Sequence, residues 1–342
     1  MTRSPRADAL AVLEGRPVPG YPCFSGLINV TAEGLAGLGL DLSQVHSDAS
    51  DMAAAAATTC RISPFGSAVV PLDLCVEAEL LGADVDFGSP GGLQFPKVSR
   101  PLAGSVTELS VQAPPDPARC ERVSTVVEAI GILKADVGDE VAVGAWVPGP
   151  FTLATLIVDL PGLLSETRRQ PGAVEDLLRA LVGVLEDVGR AYGDAGADFL
   201  TVHEMGGSPG FIGPGPFEEL VLPRLRDLLG ALPAPRVLSI CGRVGDSMGL
   251  LRDVGAEAIS VDQSTDLASS REILGPGVPL FGNIDPVGVL ASSSEADVRS
   301  AVAAAISAGV DAVWPGCDLL PDLPANNLTA MVAEAARHER AA

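Results

Sequence analysis

Two cysteines and the residues around them are the part of this sequence best suited to chemistry. The stretch "VLSICGR" (237–243) places Ser239 and Cys241 two positions apart, and "WPGCDLLP" (314–321) contains Cys317. Residues two apart on a β-strand project from the same face, so Ser239 and Cys241 are expected to point the same way. Two thiolates with a nitrogen or carboxylate ligand suit Zn²⁺ and leave a fourth position for a substrate. A zinc-bound thiol loses its proton near neutral pH, which suits attack on an electrophilic carbon such as a methyl group.

Further polar side chains stand where short apolar runs end. His203 and Glu204 follow "ADFLTV", Asp262 ends "AISVD", and Asn283 and Asp285 lie in "GNID". If these runs are parallel strands, their carboxyl ends converge and bring the polar groups to one mouth. Each residue also has a purely structural interpretation, as a core histidine, a loop cap or a turn. The two cysteines are far apart in the sequence, and a cysteine on an apolar strand is commonly a small core residue. The spacing of these residues by itself therefore does not decide whether they bind a metal.

The elements that would position these groups alternate along the chain. Helical periodicity is clear in 173–196, which ends at a glycine, and in 217–232, whose internal proline is expected to kink it. Eight apolar runs are predicted as strands: 21–26, 84–87, 141–147, 197–203, 236–241, 258–262, 278–283 and 311–316.

Eight strands alternating with helices predict an α/β fold, a (β/α)8 TIM barrel, because eight is the number of strands that closes such a barrel. An open, doubly wound sheet is the alternative. The chain has no repeat of fixed period and no domain linker, so we predict one domain over 1–342 with a short N-terminal elaboration.

Composition excludes several classes of function. With 47% hydrophobic residues the chain can bury a large core, and a net charge of −22 argues against nucleic-acid and anionic membrane surfaces. No apolar run reaches the length of a membrane span, and the N-terminus lacks the apolar segment of a secretion signal. The six cysteines include no CxxC pair, which does not indicate a disulfide framework. The expected location is cytoplasmic.

Three stretches give the sequence a family resemblance: "AISVDQSTDLASSREILG" (258–275), "FGNIDPVGVL" (281–290) and "WPGCDLLPDLPANNLTAMVAEA" (314–335). They resemble the uroporphyrinogen decarboxylase superfamily, and the similarity runs from about residue 10 to the end. The resemblance implies a (β/α)8 barrel. Decarboxylases of this family carry an arginine-containing "MRQAGR"-like segment that holds the acidic substrate. Here the corresponding stretch, "CFSGLINVTAEGL" (23–35), contains no arginine.

The chain is more similar to the corrinoid-dependent methyltransferases of the methylcobamide:coenzyme M type. That branch binds zinc through a His-x-Cys pair and a distant cysteine in a "PGC" motif, which correspond here to Cys241 and Cys317, with Ser239 in the place of the histidine. Three alternatives are open. His203 replaces the missing nitrogen ligand, a carboxylate of Glu204 or Asp262 does so, or zinc binding is lost. A serine hydroxyl is a poor zinc ligand, so Ser239 itself is not expected to complete the set.

The resemblance implies methyl transfer between a cobamide and a zinc-activated thiol or related acceptor. The chain lacks a corrinoid-binding "DxHxxG" motif, so the methylcobamide is expected on a separate corrinoid protein. The alternatives are a metal-free decarboxylase using cations such as Arg61, Arg100 and Arg243, or an inactive barrel that binds a corrinoid protein. The predicted site residues fall into three roles: metal ligands Cys241, Cys317 and His203; catalytic residues Glu204 and Asp262; and substrate contacts Ser239, Asn283 and Asp285.

Overall fold

A parallel β-sheet surrounded by helices organises the structure, a computed structural model that describes residues 4–112 and 114–340. The outermost residues of the predicted domain 1–342 lie outside these ranges. The strands are β1 (Ser67–Val70), β2 (Val85–Asp86), β3 (Lys97–Val98), β4 (Ala142–Pro148), β5 (Phe199–Glu204), β6 (Arg236–Ile240), β7 (Ala258–Val261), β8 (Leu280–Ile284) and β9 (Ala312–Pro315). Seven of them form one parallel sheet in the order β1-β4-β5-β6-β7-β8-β9.

Helices fill the connections between strands. The α-helices are α1 (Pro5–Leu13), α2 (Ala32–Leu38), α3 (Ala49–Ala56), α4 (Thr58–Ile62), α5 (Val76–Leu80), α6 (Glu121–Asp136), α7 (Pro150–Ile157), α8 (Leu160–Arg169), α9 (Pro171–Asp194), α10 (Pro209–Ile212), α11 (Pro214–Pro216), α12 (Leu222–Ala231), α13 (Leu267–Leu274), α14 (Glu295–Ser307) and α15 (Ala325–Ala335). Short 3₁₀ turns cover Val106–Glu108, Pro117–Arg119 and Gly245–Leu251, and π turns cover Phe217–Val221 and Pro286–Ala291. None of the helices in the described part of the chain is long and apolar enough to cross a membrane.

The helix predicted over 173–196 is confirmed as α9. The helix predicted over 217–232 is also present: a π turn (Phe217–Val221) runs directly into α12 (Leu222–Ala231) next to Pro223. Such π turns are one of the regular causes of a bend within a helix.

The sheet curls until its two edges meet at the segment around Cys23. Cys23 forms a parallel bridge with Val313 of β9, and Val313 N donates to Pro22 O at 2.9 Å. On the other side, Gly66 N donates to Cys23 O at 2.9 Å, just before β1. This segment therefore occupies the place of an eighth strand, and the prediction of a TIM-barrel fold is confirmed.

One predicted barrel strand was wrong and one was missed. The run 84–87 contributes only β2, which pairs antiparallel with β3 in a separate two-stranded sheet. The barrel strand at this point of the chain is β1, a four-residue run between Gly66 and Pro71. All four residues of β1 are buried, so it lacks the alternation of apolar and polar residues that marks a half-exposed strand.

Aromatic side chains fill the barrel below its carboxyl end. Phe24 lies edge-on to Trp314 and Phe199, with ring centroids 5.0 and 6.1 Å apart, and Phe281 stacks at a tilt against Trp314 at 5.1 Å. On β5, alternate residues share a face, so His203 projects from the same side as Phe199 and Thr201. His203 therefore lies nearer the carboxyl end of the barrel than the aromatic plug of Phe24, Phe199, Phe281 and Trp314.

Buried charged residues also follow β1 in the chain. Asp73 is fully buried, accepts a hydrogen bond from Arg122 and lies 3.0 Å from His46 Nδ1. Glu77 on α5 is 1% exposed, and its Oε1 has no hydrogen-bond partner among the described residues. Burial raises the pKa of Glu77 to about 8. Burial therefore favours the protonated form of Glu77 in the folded protein.

We expect Glu77→Gln to remove a pH dependence from the stability of the protein. The folded-state pKa of Glu77 lies above its ordinary value, so its contribution to stability is present at low pH and is lost as the pH rises through about 8. Between pH 6 and 9 the free energy of unfolding should fall by about 2–3 kcal/mol more in the native protein than in Glu77→Gln. Denaturant titrations at both pH values measure this. Glu128→Gln, at an exposed site on α6, should behave like the native protein, and equal losses in all three proteins would contradict the prediction.

Candidate metal centre

Three ligand-type side chains converge at the carboxyl end of the barrel. His203 Nε2 lies 3.9 Å from Cys241 Sγ and 3.8 Å from Cys317 Sγ, and the two sulfurs are 3.5 Å apart. His203 is fully buried, whereas both cysteines are half-buried. In the described part of the chain no other group of three histidine, cysteine or carboxylate ligands is this close together. The sulfurs thus line the mouth while the imidazole lies behind them.

The spacing of these atoms fits a tetrahedral zinc ion. Zinc binds sulfur at about 2.3 Å and histidine nitrogen at about 2.0–2.1 Å, so two ligands of one tetrahedral ion stand roughly 3.5–3.8 Å apart. The three separations, 3.5, 3.8 and 3.9 Å, lie within that range or 0.1 Å above it. One nitrogen with two sulfurs is also a donor set that zinc prefers. The residues therefore fit a zinc site with three protein ligands and one open position.

Neighbouring strands bring the ligands together. His203 is on β5, Cys241 directly follows β6, and Cys317 follows β9 across the mouth. Gly316 allows the approach of the last loop, because a Cβ at Gly316 would lie 2.7 Å from the Gln263 side chain and 3.2 Å from Asp262 Cα. The loop after β9 therefore passes against the loop after β7, which places Cys317 within reach of Cys241.

Two side chains hold the ring of His203. Ser239 Oγ lies 3.2 Å from His203 Nδ1, and the Trp146 ring stands edge-on to the imidazole with centroids 6.1 Å apart. Trp146 is itself fixed, because its Nε1 donates to Pro71 O at 2.8 Å. Ser239 thus contacts the predicted ligand; its predicted contact with substrate stays a prediction.

The charges of the three groups are interdependent. The hydrogen bond that the Cys241 thiol donates to Cys317 holds the pKa of Cys317 well below its usual value, and His203 lowers it further. The same hydrogen bond, together with burial, raises the pKa of Cys241. Burial opposes a positive charge on His203, but the hydrogen bond and charge of Cys317 outweigh it, so the pKa of His203 is raised. The pocket therefore stabilises a thiolate, which is the form of cysteine that binds metals.

Glu204 points away from the sulfurs toward α7. Its Oε1 accepts hydrogen bonds from Thr152 Oγ1 at 2.6 Å and Gly207 N at 2.8 Å, and its Oε2 accepts one from Phe151 N at 3.1 Å. Burial raises the pKa of Glu204, while these hydrogen bonds act in the opposite direction. Gly149 has to be glycine here, because a Cβ would lie 2.2 Å from Glu204 Oε2. The carboxylate ties the start of α7 to the loop after β5.

Asp262 and Asn283 shape the loops of the mouth. Asp262 accepts hydrogen bonds from Gly242 N at 2.6 Å and from Ser264 N at 2.9 Å. The side-chain amide of Asn283 donates to Asp262 O and Thr265 O, both at 2.9 Å. Neither residue joins the group of His203 and the cysteines, so of the candidates for the missing ligand the structure brings His203, and not a carboxylate of Glu204 or Asp262, to the sulfurs.

Asp285 accepts hydrogen bonds from Val287 N and Gly288 N at the start of a π turn. Its predicted role in substrate binding, like that of Asn283 and the catalytic roles of Glu204 and Asp262, stays a prediction.

Three residues near the site were not singled out in the sequence. Trp146 packs on His203, and Thr152 holds Glu204 and also accepts from Met205 N and Gly206 N at 2.8 and 3.0 Å. Asp318 follows Cys317 and accepts a hydrogen bond from Ile28 N at 3.0 Å. Burial and the negative charge of Cys317 raise the pKa of Asp318 to about 7. Only Asp318, next to a predicted ligand, had a signal in the sequence.

Comparison with known proteins agrees with the fold. The family model for uroporphyrinogen decarboxylase (URO-D) matches residues 4–338. The chain belongs to the uroporphyrinogen decarboxylase family. It is 26% identical to the methylcobamide:CoM methyltransferase MtaA of Methanosarcina barkeri, over 95% of each chain. It is 29% identical to the methylcobamide:CoM methyltransferase MtbA of Methanosarcina mazei, over 98% of each chain.

A solved structure has the same fold over almost the whole length. A methyltransferase from Methanosarcina mazei superimposes with a TM-score of 0.92 at 24% sequence identity and covers 98% of both chains. Ser239 stands where the resemblance to the corrinoid-dependent methyltransferases expects a zinc-binding histidine. His203 is the register partner of Ser239 on the neighbouring strand, so the imidazole enters the same site from β5.

Proposed function

We propose that this URO-D family member is a methyltransferase that moves a methyl group between a cobamide, carried on a separate corrinoid protein, and a small thiol or related acceptor. The observation that carries the proposal is the cluster of one imidazole nitrogen and two sulfurs at the open end of the barrel. The similarity to proteins named methylcobamide:CoM methyltransferases over 95–98% of the chain supports the reaction class.

His203, Cys241 and Cys317 would hold a zinc ion. Zinc in such a site supplies a Lewis acid that lowers the pKa of a bound thiol and makes the thiolate available at neutral pH. Methyl transfer to sulfur needs that thiolate, because the thiolate is the nucleophile. The thiolates of the two cysteines would balance the two positive charges of the ion, and His203 would add a neutral nitrogen.

Other residues near the candidate zinc ligands limit how the substrate approaches and position the loops of the mouth. The aromatic plug of Phe24, Phe199, Phe281 and Trp314 closes the barrel below the ligands, so the substrate must approach from the side of Cys241 and Cys317. Asp262 holds the loop that carries Cys241 through Gly242 N, and Asn283 holds Asp262 in turn. We propose that this pair orients the loops around the bound thiol, with Asp285 completing the mouth.

The decarboxylase alternative has less support at this mouth. Arg61 forms an ion pair with Asp136, and the Arg100 guanidinium lies 3.6 Å from Asp84. Both cations are thus engaged by acidic partners. Arg243 is exposed beside the site, and one arginine is a small counter-charge for a substrate with many carboxylates.

A single assay separates the two functions. Zinc-loaded protein is mixed with free methylcobalamin and either coenzyme M or 2-mercaptoethanol, and the methylated thiol is quantified. We expect product to form in proportion to bound zinc, to disappear after chelation and to return when zinc is added. Release of CO2 from uroporphyrinogen by the metal-free protein, without thiol methylation by the zinc-loaded one, would overturn the proposal in favour of the decarboxylase.

A further inference from the structure

The imidazole of His203 is constrained from two directions that leave Nε2 facing the sulfurs. The edge-on contact with Trp146 limits the tilt of the ring, and Ser239 Oγ lies 3.2 Å from Nδ1. His203 is fully buried and Ser239 is 1% exposed, so water does not take the place of either contact. The ring nitrogen opposite Nδ1 is the one that lies 3.8–3.9 Å from Cys317 and Cys241.

The strand register makes Ser239 the residue that can reach Nδ1. β5 and β6 are parallel neighbours, and His203 pairs with Ser239 in their register. Residues level with each other on adjacent strands project from the same face, so the two side chains stand side by side. A short hydroxymethyl group leaves the imidazole room to extend past it to the sulfurs. Its oxygen can both accept and donate a hydrogen bond.

We propose that Ser239 is a positioning residue that holds His203 in the orientation and tautomer required of a metal ligand. The inference rests on the proposed function in one respect, the presence of a metal at Nε2. A metal-bound Nε2 carries no proton. Nδ1 would then keep its proton and donate a hydrogen bond to Ser239 Oγ. Partners of this kind on a ligating histidine fix its ring and raise its basicity, and their loss lowers metal affinity by about 10–100-fold.

Zinc affinity tests the role directly. Competition with a chromophoric chelator is measured for the native protein, Ser239→Ala and Ser239→Thr. We expect affinity to fall by about 10–100-fold in Ser239→Ala and to be largely restored in Ser239→Thr, which returns the hydroxyl. The matched control is Ser260→Ala, because Ser260 is the register partner of Ser239 on the side away from His203 and is equally buried. Thermal melts of the metal-free variants establish that all of them fold.

Nuclear magnetic resonance of the ring nitrogens reports the tautomer without any turnover. The chain has 3 histidines, so the signals of His203 can be assigned with a His203→Gln variant. In the zinc-loaded native protein we expect a protonated, slowly exchanging Nδ1 on His203. In Ser239→Ala this proton should exchange faster, while Ser260→Ala should match the native protein.

The outcomes separate this inference from the proposed function. Unchanged zinc affinity and unchanged exchange in Ser239→Ala would overturn the positioning role while leaving the metal site intact. If the native protein binds no zinc, the proposed function fails. The spectra of the metal-free protein then test only the contact between Ser239 and His203. His203 ring signals that shift in Ser239→Ala but not in Ser260→Ala would then support the contact, and identical spectra would refute it.

Discussion

Replacing either Cys241 or Cys317 by alanine is expected to abolish zinc binding and, with it, thiol methylation. Each change removes one of three protein ligands and leaves its partner sulfur, 3.5 Å away in the native protein, without a second thiolate. Loss of a direct ligand should exceed the 10–100-fold effect typical of residues that only support a ligand. Elemental analysis after dialysis measures the result, with about one zinc per chain in the native protein.

The matched control is Cys60→Ala. Cys60 is half-buried like the two candidate ligands, but its sulfur contacts Ala57 O instead of the site. Its variant should keep zinc and activity at the native level. Equal zinc content in Cys241→Ala, Cys317→Ala and Cys60→Ala would refute the metal centre.

His203→Ala belongs in the same series because it distinguishes a histidine from a carboxylate as the third zinc ligand. If His203 is the ligand, this variant loses zinc while Glu204→Gln retains it. The reverse pattern would assign the third position to a carboxylate, against the geometry that places Glu204 on Thr152, Gly207 and Phe151.

Glu204→Ala is expected to lower the free energy of unfolding by roughly 3–5 kcal/mol. The change removes the acceptor of three hydrogen bonds in a fully buried place, and the amides of Phe151 and Gly207 lose their partner. Denaturant titration of the metal-free protein gives the value. Glu218→Ala, at an exposed position in the π turn before α12, should change stability by less than about 0.5 kcal/mol.

This measurement also tests the predicted catalytic role of Glu204. A purely structural carboxylate loses stability on mutation, and the activity per folded, zinc-loaded molecule stays near the native value. A catalytic carboxylate loses activity in Glu204→Gln even though that variant keeps the size of the side chain. Full stability of Glu204→Ala would contradict the hydrogen-bond account.

Much of the barrel could be predicted from the sequence because short apolar runs alternate with helical segments along most of the chain. The helix over 173–196 and the strands around β4 to β9 have clear local patterns. The short strand β1 and the hairpin of β2 and β3 were confused, because a four-residue run buried on both sides has no periodicity of its own. Only pairing with β4 marks β1 as part of the barrel.

The sequence by itself determined the chemistry available to this protein: two cysteines and a histidine at strand ends, in a chain with the motifs of the URO-D family. Which third ligand meets the sulfurs was decided by tertiary structure. His203 and Ser239 are 36 positions apart, and they become neighbours through the register of β5 against β6. Glu204, the very next residue, projects from the opposite face because side chains alternate along a strand. A pairing shifted by one residue would exchange the two. Because all six residues of β5 are buried, the strand has no exposed face whose pattern would mark this register in the local sequence.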